Sequence, residues 1–135
     1  MQATVVVAVV LHVLSGVFWA GSTFALARLG GNQARQFLRP QLGAAAVAIV
    51  TGVLLFYLLH RGSEGSSEDI LAAGAVFAFI AAGVQAATGL TGRQALAGVG
   101  ELDGSHPQNR AMMGQRIAAG CLLITVICMA AFRYA

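Results

Sequence analysis

The sequence predicts an all-α integral membrane four-helix bundle with both termini on the outer, periplasmic side. Three observations carry that expectation: scarce charge, long uncharged apolar runs, and arginines gathered at one set of run ends. Of the 135 residues, 58% are hydrophobic and only 10% are charged, whereas a soluble domain is roughly a quarter charged. A chain this short has too little interior to hide so much apolar surface from water, so its surroundings must themselves be apolar. A single transmembrane domain over residues 1–135 accounts for the length.

No charged side chain occurs from Met1 to Ala27, from Pro40 to His60 or from Ile70 to Gly92. Each run reaches the roughly 20 residues that span a hydrocarbon core about 30 Å thick. A fourth run, Ile117 to Phe132, becomes long enough when it starts near Met112 and Arg116 snorkels to the interface. The expected helices are therefore about Thr4–Ala27, Gln41–Leu59, Ile70–Leu90 and Met112–Phe132. The runs are continuously apolar rather than alternating, which favours helices over a barrel. Pro40 suits the first turn of the second helix, where a missing N–H costs little. Ser66-Ser67-Glu68-Asp69 offers capping hydroxyls and negative charge at the start of the third. Ser105 and Pro107 resemble the start of the fourth, with Asn109-Arg110 as a later alternative, and Gln94–Leu102 offers a short interfacial turn.

Arginine placement sets the orientation. Arg28, Arg35, Arg39, Arg93, Arg110 and Arg116 flank the first and third loops, leaving Arg61 and Arg133 on the other side beside Glu64, Glu68 and Asp69. That bias puts loops one and three in the cytoplasm. There is no lysine and no basic cluster, so nucleic acid is not an expected partner; the lipid bilayer is. Ala25-Leu26-Ala27 resembles a signal-peptide cleavage site. The long apolar run and the missing positive n-region favour a retained first helix instead.

Small residues recur at four-residue spacing: Ala44, Ala48 and Gly52; Gly74, Ala78 and Ala82; Gly114 and Ala118. Such faces let helices pack closely in lipid, within one chain or between chains, so a homo-oligomer or a larger membrane complex is a possible assembly. His12 lies deep in the first run, and Ser15, Gly16, Trp19 and Thr23 follow it on the same face. Ionisable groups at that depth face the bundle interior. A neutral imidazole there suits a metal or haem iron, with Gly16 leaving room for a flat macrocycle, or else it makes one interhelical hydrogen bond. Ser15, Gly16, Trp19, Gly52 and Gln85 are the expected packing residues, and Thr51, Thr88 and Gln115 are further buried hydrogen bonders.

His60, at the outer end of the second run, is the candidate second ligand, whereas His106 belongs to the opposite side. Cys121 and Cys128 are seven residues apart on one helix face. Their rise of about 10 Å forbids a mutual disulfide. With Met129 they offer soft sulfur to Cu(I), or simply fill space. No carboxylate lies inside a run, which argues against proton-coupled export, and no phosphate loop, nucleophile elbow or zinc-spaced set occurs.

The stretch Leu11-His12-Val13-Leu14-Ser15-Gly16-Val17-Phe18-Trp19-Ala20-Gly21 resembles the first-helix signature of the copper-resistance-D-like membrane proteins. It is also similar to the histidine-then-tryptophan-x-glycine helix of the small membrane protoporphyrinogen oxidases. Thr51-Gly52 and the segment from Met129 to Tyr134 sit where those proteins show similar residues. The resemblance implies four helices in a bacterial inner membrane, haem b or copper as cofactor, and His12 as the haem or metal residue. The oxidases are expected to use a lysine that this chain lacks, so the resemblance does not extend to their catalysis. Two functions follow as expectations: haem or metal binding near His12 for redox or metal handling, and a non-catalytic subunit or assembly factor of a membrane complex.

Overall fold

A computed structural model describes residues 2–29, 31–59, 66–98, 105–131 and 134, with side chains at 2–29, 36–59, 69–89, 109–131 and 134. Every described segment of length is helical: α1 (Gln2–Leu29), α2 (Gly31–Leu59), α3 (Ser66–Gly98) and α4 (Ser105–Ala131). The portions long and apolar enough to cross a membrane are Gln2–Leu29, Gln36–Leu59, Asp69–Gly89 and Asn109–Ala131. At 1.5 Å per residue, each covers a core of about 30 Å.

The helices run past the expected ends. α2 begins at Gly31, so Pro40 sits inside the helix rather than in its first turn. Its missing N–H leaves the carbonyl four residues back without its usual partner, near the polar end of the span. The polar residues before Pro40 extend the helix beyond the apolar span instead of forming a loop. α3 likewise continues to Gly98 through residues expected to form a loop, and α4 begins at Ser105 with Pro107 in its first turn. Membrane-length arithmetic finds the span of a helix and not its overhang.

Contacts fix the topology. His12 meets Ala48 and Gly52 on α2, while Ser22 and Thr23 meet Gln41. Residue numbers rise along α1 as they fall along α2, so the pair is antiparallel. On α3 and α4 the same reasoning holds: Gly74 meets Thr125 and Cys128, Gln85 meets Gln115, and Thr88 meets Gly114. The two hairpins associate into an up-down bundle, with α1–α4 and α2–α3 as adjacent sides and α2–α4 as the closer diagonal.

The core is built chiefly from small side chains. Ala45, Ala48, Ala78, Ala81 and Ala118 cluster with Trp19 and Leu122. Lipid is as apolar as a leucine core, so close packing rather than apolar burial holds helices together there. Two of the glycines on the expected small-residue stripes show the consequence. A Cβ at Gly74 would lie 3.1 Å from Cys128 Cβ, and one at Gly114 would lie 2.6 Å from Thr88 Cγ2. Outward, the helices present large apolar residues such as Val7, Leu14, Val50, Phe79 and Ile127. That surface suits acyl chains rather than water.

Candidate functional site

Two polar sites interrupt the apolar bundle. The first occupies the end where α1 and α3 finish and α2 and α4 begin. There, Trp19 Nε1 donates to Gln85 Oε1 at 2.7 Å. Gln85 Nε2 donates to Gln115 Oε1 (3.2 Å) and to Thr23 Oγ1 (2.9 Å). Gln115 Nε2 donates to Gln41 Oε1 at 3.1 Å. Gln41 Nε2 donates in turn to Ser22 Oγ (3.2 Å) and Thr23 Oγ1 (3.3 Å). Thr23 Oγ1 completes the circuit by donating to the Trp19 carbonyl at 2.7 Å. All four helices contribute, and Thr23, Gln41 and Gln85 are fully buried.

This ring has a direction that chemistry dictates. An indole N–H only donates, so it must face the carbonyl oxygen of Gln85 rather than its amide nitrogen. That choice turns the Gln85 nitrogen toward Gln115, which then orients Gln115 and Gln41 in the same sense. Trp19 therefore sets the orientation of each glutamine amide in the ring. Both amide hydrogens of Gln85 and of Gln41 are used, and the Thr23 hydroxyl donates once and accepts twice. Such a network holds helices in register.

The second site lies about seven residues, or roughly 10 Å, further along α1. His12 is half-buried on the α1–α2 seam. Its Nδ1 lies 2.8 Å from the Ala48 carbonyl oxygen and 3.3 Å from Thr51 Oγ1. A carbonyl only accepts, so Nδ1 carries a proton, and in a neutral imidazole the lone pair is then on Nε2. Among the described residues Nε2 has no hydrogen-bond partner. A histidine anchored by Nδ1–H on a backbone carbonyl, with Nε2 free, has the arrangement of a metal-ligating imidazole. Gly52 makes the seat: a Cβ there would lie 3.0 Å from His12 Cε1.

The other expected site residues separate from His12. Cys128 packs over Gly74 and Cys121 packs against the alanine core, both on the α3–α4 side. Met129 is half-buried one residue beyond Cys128. No group of three or more His, Cys, Asp or Glu converges among the described residues. His60 lies outside the described residues, as does the His106 side chain.

The expected packing residues divide in the same way. Trp19 and Gln85 are buried in the ring, and Gly52 accommodates His12. Ser15 and Gly16 do not join helices. Ser15 Oγ bonds the carbonyls of Leu11 and His12 on its own helix, and nothing lies within 4 Å of a Cβ built at Gly16. Thr51 is buried beside His12 with its hydroxyl 2.6 Å from the Val47 carbonyl. Thr88 Oγ1 donates to its own helix at Val84. The residue that sequence reasoning missed is Gln41. It follows Arg39 and Pro40 and so reads as a helix start at the interface. The available signal was its type: Gln41, Gln85 and Gln115 are the glutamines at the loop-flanking ends of three successive apolar runs.

No family model, curated protein or solved structure matches the chain.

Proposed function

We propose that this chain is a multi-pass protein of the bacterial cytoplasmic membrane that binds haem through His12 and serves redox or metal handling. The observation supporting this is the His12 imidazole, tied by Nδ1–H to the Ala48 carbonyl with Nε2 unpartnered among the described residues. Leaving a half-buried acceptor unmade costs free energy in an apolar setting, and a ligand on Nε2 removes that cost. The donor fits a haem iron, for which one histidine suffices as the proximal ligand.

Haem bound here would supply one-electron chemistry at its iron. The chain's own residues set the imidazole. Ala48 and Thr51 fix its tautomer and plane, Gly52 gives it space against α2, and Gly16 leaves the next turn of α1 open. The arginine bias favours both termini outside, which assigns His12 to the outer half of the bilayer and the glutamine ring to the inner half. Copper has less support, because the sulfur residues pack on α3–α4 while His12 belongs to the α1–α2 seam.

The test is an ultraviolet–visible spectrum of protein purified in mild detergent and reconstituted with haem, first oxidised and then reduced. A Soret band that shifts on reduction and disappears in His12→Ala is the expected result. Full pigment retention in His12→Ala, with the protein still inserted, would sink the assignment.

A second reading, a non-catalytic subunit or assembly factor, is favoured by a separate observation. Gly21, Gly43, Gly83 and Gly120 are exposed, with nothing within 4 Å of an added Cβ. The bundle does not use these glycines, whereas a neighbouring helix in lipid would. A featureless spectrum together with a large membrane complex recovered under mild detergent would favour this reading over haem binding.

A further inference from the structure

The Ala48 carbonyl serves both helices of the α1–α2 seam. In an α-helix it accepts the N–H of the residue four on, which is Gly52. Here it also accepts from His12 Nδ1 at 2.8 Å and lies 3.1 Å from Thr51 Oγ1. The single Thr51 hydroxyl hydrogen has a nearer acceptor in the Val47 carbonyl at 2.6 Å, again on its own helix. Two side chains, one from within α2 and one from α1, thus bond into the same turn of its ladder. Side chains inserted into the ladder, back-bonding threonines among them, are a recognised cause of helix bending. The turn ends at Gly52, which seats the His12 ring and lacks the Cβ that would stiffen the backbone.

This turn separates two differently held parts of α2. On its inner side Gln41 is bonded into the glutamine ring, and Ala45 and Ala48 belong to the core cluster. On its outer side none of the side chains at 53–59 is buried. Beside that outer part runs a groove of about 400 Å³, lined by Val7, Ala8 and Leu11 of α1 and by Thr51 and Leu54 of α2. Outer α2 therefore has a fixed base, a contested turn and space against α1.

We propose that residues 47–52 form a hinge in α2 that is set by ligation of His12. With Nε2 ligated, the imidazole loses electron density and its Nδ1–H becomes the stronger donor. The Ala48 carbonyl is then drawn toward His12 and away from the Gly52 N–H, and outer α2 moves across the groove. The bond that anchors the imidazole thereby also reports its occupancy. The trigger rests on the haem reading; the shared carbonyl does not.

The test is amide exchange of the full chain in lipid nanodiscs, resolved to single residues by electron-transfer fragmentation, with and without haem. Haem uptake, followed by its Soret band, should speed exchange at Gly52 several-fold and leave the exposed Gly83 of α3 unchanged. Without haem, His12→Leu should slow Gly52 several-fold, because the carbonyl returns to its own helix, and Thr51→Val should slow it less. If His12→Leu does not insert, Thr51→Val carries the haem-free arm. An unchanged Gly52 rate on haem uptake overturns the hinge, and so does an equal change at Gly83, which would be general loosening. A Gly52 rate indifferent to both substitutions overturns the shared carbonyl. A chain that takes up no haem sinks the haem reading and leaves the hinge without its trigger.

Discussion

The glutamine ring and the His12 seat are both polar interruptions of an apolar bundle, and they are satisfied to different degrees. In the ring, the bonds run from helix to helix, starting from a donor-only indole and returning through Thr23 to the carbonyl of the same tryptophan. At His12, one nitrogen is anchored and the other has no partner among the described residues. The difference teaches that burial of a polar residue in such a bundle does not by itself mark function. A polar group bonded to side chains on other helices holds the fold together. One that the fold orients and leaves incomplete is where chemistry belongs.

The largest stability effect should come from breaking the ring. Gln85→Leu removes the acceptor of Trp19 and the donor to both Thr23 and Gln115. Interhelical bonds in lipid are each worth roughly 0.6 kcal/mol, so a loss of about 2 kcal/mol is expected. Unfolding by denaturing detergent measures it, and a red-shifted Trp19 emission should accompany it. An effect no larger than that of His12→Leu would erase the distinction between the sites.

Next comes Gly114→Ala. The new methyl would meet Thr88 at 2.6–2.7 Å, forcing α3 and α4 apart at a cost of about 1 kcal/mol or more. The same unfolding assay should register it as a lower midpoint.

Gly52→Ala sharpens the comparison because it separates stability from ligation. Its methyl meets the His12 ring at 3.0 Å, where the neighbour is a side chain and gives way. The expected stability loss is under about 1 kcal/mol. Haem affinity, followed by Soret titration, should nevertheless fall several-fold. Smallest of all is Gly16→Ala, where the methyl enters open space. Its midpoint should stay level or rise slightly, since alanine is the better helix former.

Much of the bundle was legible in the sequence because charges mark the loop ends of the apolar runs. His12, Trp19 and Gln85 stood out as polar or amphipathic residues inside apolar runs, and Gly52 as a small residue on a packing stripe. Three features were not legible. Gln41 sits beside Arg39 and Pro40, which mark an interface, and only the long α2 carries that position into the core. Gly16 shares a face with His12 and Trp19, yet packing is decided by the partner helix, and none approaches it. Which nitrogen of His12 is anchored depends on a carbonyl of Ala48, and a sequence does not reveal where main-chain acceptors fall across a helix seam.

The most direct measurement is nitrogen-15 magnetic resonance of histidine-labelled protein in lipid nanodiscs before haem is added. The His12 signals are assigned by their loss in His12→Gln. The account expects a neutral imidazole with the proton on Nδ1 and an unprotonated Nε2 that shifts or broadens when haem is added. A proton on Nε2, or an Nε2 signal indifferent to haem, would contradict it.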